Sequence, residues 1–366
     1  MRFRSPPRMP GSYLVLELTN RCSLACIHCA VSEEGHPHHS RTGFLDLSVV
    51  QALLDDLVEV GGRFDELILF WLGEPLLHPH FSTIYRRALR TAVLHGTFGG
   101  VQVHTNGTHL ESRVARAGLN DAAVRQTWHF SLDAVGTDTY RRIKGADRYG
   151  RVVTNVRGFL DAKADTGARW PRPVFQFIVG SNNVDEVRPF AELWTRECSD
   201  RSIRSRLAAA QVPSGDDAVV FFRQLDCPTP EMQVRENDVF RRAMDELGIE
   251  VPEGRVNRGP LRASNQTVCS GFWKSPVVSW RGELTTCTRD SRLENMLGTL
   301  REQRFSAMWW GPAMAETRRK VAGGSYEGLP PCATCFIPRS ANYVDLDSED
   351  VAKQRAWEEG DPAWVA

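Results

Sequence analysis

Cys22, Cys26 and Cys29 are the residues of this chain whose types and spacing point most directly to chemistry. They form C-x3-C-x2-C in the stretch T-N-R-C-S-L-A-C-I-H-C, directly after an apolar run at Tyr13–Leu18. Three thiolates on one loop can bind three irons of a cubane [4Fe–4S] cluster, which normally takes four Cys ligands. One iron is then open to a ligand from outside the chain. Structural zinc loops use closed cysteine pairs and four ligands, and this pattern fits neither requirement well.

Four further cysteines lie toward the C-terminus. Cys332 and Cys335 form a C-x2-C knuckle, and Cys269 and Cys287 flank a predicted β-hairpin that turns at Gly282. Four thiolates can close a zinc site or ligate a [4Fe–4S] cluster completely. The residue types alone favour zinc, because zinc is the commoner structural metal.

Short polar side chains follow three more predicted strands. Gly73 and Glu74, in the sequence L-G-E-P, come after the second strand, where a carboxylate beside a conformationally free glycine can hold an ammonium group. Asn106 ends the third strand, and Ser131 and Asp133 end the fourth; such groups can bond a hydroxyl or carboxylate group of a ligand. Either of the last two motifs, at Asn106 or at Ser131 and Asp133, would alone more often be an ordinary turn or helix cap. Their interpretation as a site depends on their positions at successive strand ends.

Taken together, these motifs resemble those of the radical S-adenosylmethionine (SAM) superfamily. The resemblance implies that Cys22, Cys26 and Cys29 hold a [4Fe–4S] cluster whose open iron is chelated by the amino and carboxylate groups of SAM. It also implies that an electron from the cluster splits SAM into methionine and a 5′-deoxyadenosyl radical. That radical abstracts hydrogen from an unactivated C–H bond of a substrate.

The same resemblance implies a set of SAM contacts. The L-G-E-P segment matches the G-G-E-P motif that binds the SAM amino group, with Leu72 in place of its first glycine. His28 takes the position of an aromatic residue that lies against the adenine. A basic side chain that follows Asp133 is a further candidate for the SAM carboxylate (Arg141, Arg142 or Lys144). The residues implied to bind SAM are His28, Gly73, Glu74, Asn106, Ser131 and Asp133.

The C-terminal cysteines resemble the SPASM/Twitch extension of radical SAM enzymes. A full SPASM domain carries about seven cysteines and two auxiliary clusters, so the four here match the shorter Twitch version with one auxiliary [4Fe–4S] cluster. The spacing C-x17-C-x44-C-x2-C is similar to that of the 2-deoxy-scyllo-inosamine dehydrogenases of aminoglycoside biosynthesis. The resemblance implies oxidation of a secondary alcohol on an aminoglycoside or another polyhydroxylated small molecule in antibiotic biosynthesis. It also implies an electron donor such as flavodoxin or ferredoxin.

Three alternatives stay open. Cys227 lies in a predicted loop and is the candidate hydrogen donor if the enzyme is an epimerase, whereas Cys198 is predicted to be a buried apolar residue. Modification of a ribosomal peptide is the second alternative. The third is a non-catalytic module in which both cysteine groups bind zinc. The H-x-H-H loop at His36, His38 and His39 is more typical of an exposed polar loop than of a substrate contact.

The elements that must position these residues alternate between apolar runs and amphipathic segments, which indicates βα units on a parallel sheet. We predict a partial (β/α)6 TIM-like barrel over residues 12–210, whose site residues lie at the C-terminal strand ends. Residues 211–268 are predicted to be an inserted bridge with possible substrate contacts, 269–345 the Twitch-type domain with a β-hairpin and a helix, and 346–366 a surface tail. The predicted strands are Tyr13–Leu18, Glu66–Trp71, Val101–Thr105, Thr127–Leu132, Val174–Val179 and Ser202–Leu207. The predicted helices are Ser48–Val60, Phe81–Leu94, Glu111–Ala117, Tyr149–Thr166, Val184–Cys198 and Asp238–Leu247.

The bulk composition narrows the class of protein. Lys and Arg together number 45, as do Asp and Glu, so no overall charge indicates nucleic acid or an anionic membrane as a partner. No segment has the ~18 continuous apolar residues of a membrane span. Glu17 interrupts the first apolar run, which excludes a signal peptide. Nine cysteines without an export signal indicate metal chemistry in a reducing compartment, so we expect a cytoplasmic protein.

Overall fold

A computed structural model describes residues 5–227, 229–251, 268–333, 335 and 346–360. Within these residues the strands form a ten-stranded sheet in the order β10-β9-β8-β1-β2-β3-β4-β5-β7-β6. Neighbours from β8 through β1 to β5, β7 and β6 are parallel, and the two pairs that involve β9 are antiparallel. The strands are β1 Tyr13–Leu16, β2 Glu66–Leu69, β3 Gly100–Thr105, β4 Arg125–Ser131, β5 Arg172–Val179, β6 Ser205–Ala209, β7 Ala218–Gln224, β8 Val277–Val278, β9 Glu283–Thr285 and β10 Gly298–Thr299.

Helices connect the parallel strands and cover one face of the sheet. The first helix shows why, because its apolar residues recur at helical spacing and are buried (Val50, Leu53, Leu54 and Leu57). The helix is capped by Gly61, whose φ is +66°. The helices are α1 Leu47–Val60, α2 Phe81–His95, α3 Ser112–Gly118, α4 Thr137–Lys144, α5 Tyr149–Thr166, α6 Val187–Ser199, α7 Pro230–Leu247, α8 Gly271–Lys274, α9 Phe305–Trp309, α10 Pro312–Ala322, α11 Pro330–Ala333 and α12 Ser348–Glu359. This is the partial TIM-like barrel with a C-terminal domain that the sequence predicted.

Successive side chains of β4 point alternately toward the helices and toward the inside of the barrel. Trp128 and Phe130 pack against Phe159 of α5, with ring centroids 5.7 and 5.3 Å apart. His129 lies between them in sequence and therefore points the other way, where its ring stacks on His104 at 4.1 Å. The inside of the barrel is thus lined by every second residue. Its rim is formed by the C-terminal ends of the strands.

The sheet continues beyond residue 210, where the sequence analysis ended the barrel. β7 lies in the segment that we predicted to be a bridge, and it pairs in parallel with β5, which leaves β6 at the edge. The run A-V-V-F-F has the continuous apolar character of a strand that is buried on both faces, and the sequence analysis assigned no strand to it. The helix predicted at Asp238–Leu247 begins earlier, at Pro230. Residues 252–267 of the predicted bridge lie outside the described residues.

The C-terminal domain attaches to the barrel through its hairpin. β8 and β9 form the predicted hairpin, which turns at Gly282 with φ +88°, and β8 extends the sheet by pairing with β1. The segment after residue 345 was predicted to be a surface tail, which is wrong for α12, because its Glu358 carboxylate pairs with the buried Arg318 guanidinium at 2.6 Å. No helix among the described residues is long and apolar enough to cross a membrane.

Candidate active site

The N-terminal cysteine loop is held by the end of α4. Ala25 donates its backbone N–H to the carbonyl of Lys144, and Ile27 donates to that of Ile143, both at 3.0 Å. Gly145 follows at φ +69°, and a Cβ at this position would lie 2.5 Å from the carbonyl oxygen of Ala25. The cysteine loop therefore packs directly against Gly145, and any larger residue at this position would displace the loop.

The three N-terminal thiols lie close enough for their charges to act on one another. Burial, and then the neighbouring charges of Glu74, Cys26 and Cys29, raise the pKa of Cys22 to about 11. The Cys22 sulfur also accepts a long hydrogen bond of 3.6 Å from the side-chain amide of Asn106. Thiols in this environment become thiolates only when a cation compensates their charge. The donor set therefore suits an iron cluster. Asn106 lies next to the first predicted ligand, and its contact with SAM stays a prediction.

Gly73 joins the L-G-E-P turn to the start of the cysteine loop. A Cβ on Gly73 would lie 2.1 Å from the carbonyl oxygen of Thr19 and 2.9 Å from that of Arg21. Glu74 donates its backbone N–H to the Arg21 carbonyl at 2.8 Å. Glycine is required here because two backbone segments meet with no space between them.

The Glu74 carboxylate is committed to its own chain. One oxygen accepts hydrogen bonds from Leu76 N at 3.0 Å and from the Thr105 hydroxyl at 2.7 Å, and the other accepts from Asn106 N at 2.7 Å. Glu74 is 1% exposed, and this burial raises the pKa of its carboxyl group to about 7. The sequence analysis assigned this carboxylate to the ammonium group of SAM. These hydrogen bonds tie the end of β2 to the end of β3, and the contact of Glu74 with SAM stays a prediction.

The turn after β3 is linked to the cysteine loop by hydroxyl groups that sequence analysis missed. Thr108 donates through both its backbone N–H and its hydroxyl to the Asn106 side-chain oxygen, at 2.9 and 2.6 Å. The Thr108 hydroxyl also lies 2.7 Å from that of Ser23, which follows Cys22. The only sequence signal was the polar T-N-G-T run itself, which does not identify the partner across the rim.

Asp133 is the second buried hub of the rim. It has φ +60°, its Oδ1 accepts from Ile178 N at 2.7 Å, and its Oδ2 forms an ion pair with Lys144, whose side chain is 2% exposed. The His28 Nε2 lies 3.7 Å from the same Oδ2, and burial lowers the pKa of His28 to about 4, so its imidazole is neutral. A neutral ring beside the cysteine loop suits the predicted stacking position. Ser131 lies near Asp133 at the end of β4, 3.5 Å from the Gln176 amide.

The C-terminal thiols lie close enough for their charges to act on one another. Burial, and then the charges of Cys287 and Cys335, raise the pKa of Cys332 to about 12, and the charges of Cys287, Cys335 and Cys332 all act on the half-buried Cys269. Asn295 donates to the Cys332 sulfur at 3.2 Å. Four thiolates can ligate a [4Fe–4S] cluster completely, so this donor set fits an auxiliary iron–sulfur cluster.

Comparison with known proteins identifies two domains in the chain. Residues 16–193 match the Radical SAM superfamily, and residues 269–336 match the SPASM iron-sulfur cluster-binding domain. The chain contains a radical SAM domain and a SPASM domain. These domains imply SAM with a SAM-binding [4Fe–4S] cluster, and an auxiliary iron–sulfur cluster in the SPASM domain. Cys22, Cys26 and Cys29 stay the predicted ligands of the first cluster. Both donor sets described above fit these groups.

Individual relatives of this radical SAM protein are distant. The tungsten-containing aldehyde ferredoxin oxidoreductase cofactor-modifying protein of Pyrococcus furiosus is 24% identical over 92% of this chain and 91% of its own length. Mycofactocin maturase MftC of Mycobacterium ulcerans is 28% identical over 50% of this chain and 44% of its own length. The structure of anSMEcpe with bound AdoMet has a TM-score of 0.54 at 12% identity and covers 98% of each chain, which shows a shared fold. BtrN in complex with AdoMet and 2-DOIA covers 92% of this chain and 100% of its own, at 13% identity and a TM-score of 0.47.

Cys227 lies just beyond β7, and Cys198 lies in α6. Cys227 is 3% exposed, its backbone N–H donates to the Gln233 side chain at 2.9 Å, and burial raises the pKa of its thiol to about 11. The preceding Asp226 pairs with Arg223 at 2.8 Å and with Arg289 of the SPASM domain at 3.6 Å. Cys198 is fully buried, as predicted. Cys227 thus neighbours a charged link between the barrel and the auxiliary cysteines.

Proposed function

We propose that this radical SAM enzyme oxidises a secondary alcohol of an aminoglycoside or another polyhydroxylated small molecule to a ketone. The observation that supports this most is the four-thiol auxiliary site placed beside the barrel rim. All four of its protein ligands are cysteines, so a bound cubane has no iron left for substrate and is suited to electron transfer. Ion pairs connect this site to the barrel: Arg289, two residues after Cys287, pairs with Asp226, which pairs with Arg223 of β7.

The described residues hold the reactants in place. When bound, the N-terminal cluster and SAM supply a 5′-deoxyadenosyl radical that removes hydrogen from carbon, and the auxiliary cluster supplies an acceptor for one electron. Glu74 fixes the ends of β2 and β3, and Asp133 with Lys144 fixes the ends of β4 and α4. His28, held neutral by burial, lies beside the cysteine loop where it can stack on the adenine. The alcohol would lose one hydrogen atom to that radical, one electron to the auxiliary acceptor and the hydroxyl proton to water.

Epimerisation is the second candidate, and the state of Cys227 supports it. A thiol that returns a hydrogen atom must keep its hydrogen at neutral pH, and burial raises the pKa of Cys227 to about 11. Deuterated water separates the two reactions, because an exchangeable thiol delivers solvent deuterium to the carbon centre. Retained turnover in Cys227→Ala would exclude the epimerase.

Modification of a ribosomal peptide is the third candidate. A relative named as a maturase, MftC, matches half of this chain, which supports this class of substrate. We further infer a cytoplasmic location and an electron donor such as flavodoxin or ferredoxin, with no nucleic acid or membrane as partner. The equal numbers of acidic and basic residues support the last inference.

One assay tests the leading proposal. The anaerobic enzyme is incubated with SAM, a reductant and candidate aminoglycosides, and the products are analysed by mass spectrometry. Oxidation lowers the substrate mass by that of two hydrogen atoms, whereas epimerisation leaves it unchanged. Formation of 5′-deoxyadenosine with oxidised product supports the dehydrogenase. Mass changes confined to a peptide substrate would contradict it.

A further inference from the structure

A cavity of about 240 Å³ lies where the barrel meets the SPASM domain. Glu17, at the end of β1, and Trp71, after β2, line it from the barrel, while Trp280 and Leu293 line it from the SPASM domain. Pockets for drug-sized ligands have volumes of about 300–1,000 Å³, so this cavity suits a single small ring or one substituent of a larger ligand.

Glu17 is the buried charged group of this cavity. It is 1% exposed, and its two oxygens accept backbone hydrogen bonds from Trp280 N at 3.0 Å and from Leu72 N at 3.4 Å. A carboxylate has about four acceptor positions, so two stay available to a ligand. Burial raises the pKa of Glu17 to about 7, because the low-polarity surroundings penalise its charge. A cationic ligand would relieve that penalty.

The other charged groups are at the rim and mostly neutralised. Arg281 pairs with Glu283 at 2.8 Å, and Arg292 pairs with Glu33 at 2.5 Å. Arg41 lines the cavity but is exposed, so its charge is screened by solvent. The imidazole of His38 is 3.3 Å from the carbonyl oxygen of Asn20. Glu17 is therefore the buried carboxylate that determines the electrostatic potential inside the cavity.

Two indole rings give the cavity aromatic walls. The Trp280 ring packs on Gly43, where a Cβ would lie 2.2 Å from it, so no larger residue fits beneath the ring. Trp71 is held by its indole N–H, which donates to the Thr288 carbonyl at 2.9 Å. The Arg281 guanidinium already lies over the Trp280 ring, 5.9 Å from its centroid, so Trp71 is the aromatic wall left for a ligand cation. The attraction of an aromatic face for a cation strengthens when water is excluded.

We propose that this cavity binds an ammonium-bearing ring of the substrate, such as an amino sugar or aminocyclitol, with Glu17 as the counter-ion of its ammonium group. The proposal rests on the proposed function, because it assigns a binding site to that substrate class. Glu17 contacts Leu72, which directly precedes the Gly73–Glu74 turn, and the opposite wall follows Cys287 by a few residues. A ring bound here therefore lies between the two cysteine sites.

Binding by the loaded enzyme tests the site without turnover. The enzyme with SAM and no reductant is titrated calorimetrically with 2-deoxystreptamine, a cationic aminocyclitol, and with its neutral di-N-acetyl derivative. We expect the neutral compound to bind at least about tenfold more weakly, the effect of losing one charged hydrogen bond. Glu17→Gln should lose about the same factor for the cationic compound. Glu294→Gln, which alters an exposed carboxylate outside the lining of the cavity, should change affinity less than about twofold.

Equal affinity of the wild-type enzyme for the two compounds, or no binding of either, overturns the proposal. This comparison needs no variant, so it holds even if Glu17→Gln is poorly folded; iron content and melting temperature check that variant. Unchanged affinity in a folded Glu17→Gln enzyme also overturns it. The two proposals fail separately. If the enzyme oxidises neutral polyols and Glu17→Gln leaves their KM unchanged, the proposed ammonium site alone is contradicted. If the cationic compound binds tightly and selectively but no oxidised product forms, the proposed dehydrogenase activity alone is contradicted.

Discussion

The buried carboxylate of Glu74 illustrates how a residue near a cofactor can act through its neighbours. The L-G-E-P motif correctly indicated a residue at the rim of the barrel. Its three internal hydrogen bonds, from Leu76, Thr105 and Asn106, became evident only when the strand ends were placed side by side. The sequence could not show that Thr105 and Asn106, some thirty residues further along, would take up its oxygens.

Glu74 makes stability depend on pH in a predictable direction. Its pKa is about 7 in the folded chain and 4.5 in an ordinary environment, so the folded state holds the proton more tightly. The resulting stabilisation is complete below pH 4.5 and is lost as the pH rises through 7. Glu74→Gln, which cannot ionise, should lack this loss. We expect its melting temperature, relative to that of the wild type, to rise between pH 5.5 and 7.5; a constant difference would contradict the prediction.

The pair formed by Asp133 and Lys144 should be among the costliest single sites to break. Both side chains are almost fully buried, so Lys144→Met leaves an uncompensated carboxylate and should destabilise the fold by about 3–5 kcal/mol. Arg141→Met is the matched control, because Arg141 pairs with Asp138 on the exposed surface and should cost at most ~1 kcal/mol. Anaerobic urea unfolding of the two variants measures the difference. Equal losses would show that the buried pair is not needed.

At the scale of elements, the contact between two loops is controlled by Gly73. In Gly73→Ala the new methyl group would overlap the carbonyl oxygen of Thr19, so the L-G-E-P turn and the cysteine loop must separate. We expect the variant to lose iron from the N-terminal site and to make no 5′-deoxyadenosine. Gly150→Ala, in α5, is the control, since nothing lies within 4 Å of its added Cβ. Its iron content should equal that of the wild type, and a fully loaded Gly73→Ala would refute the argument.

Elements with local signals were predictable, and those defined by distant pairing were not. The helix at Tyr149–Thr166 has the predicted bounds, because its apolar spacing and the glycine after it are local features. β7 was missed because it lies between the turn-forming sequences Pro213-Ser214-Gly215 and Pro228-Thr229-Pro230, which break the alternation of strands and helices. Its place between β5 and β6 is a long-range property of the sheet. Glu17 was used only to exclude a signal peptide, since its burial depends on Trp280, which is over two hundred residues away.

At the scale of the whole molecule, the SPASM domain and the barrel share one sheet. β8 pairs with β1 immediately before the N-terminal cysteine loop, and Trp71 reaches across to the Thr288 carbonyl next to Cys287. The two cysteine sites are therefore held by the same strands. This arrangement allows separate tasks at the two sites, one for generating a radical and one for accepting an electron.

Removing the auxiliary ligands should separate these tasks. The double variant Cys332→Ala/Cys335→Ala should contain about four irons per chain in place of about eight, since one cubane is lost. We expect it to form 5′-deoxyadenosine still, because the N-terminal loop is held by α4 and the L-G-E-P turn, but to make no oxidised product. The triple alanine variant of Cys22, Cys26 and Cys29 should also keep about four irons but form no 5′-deoxyadenosine. If the double variant oxidised its substrate at the wild-type rate, the auxiliary site could not be the electron acceptor.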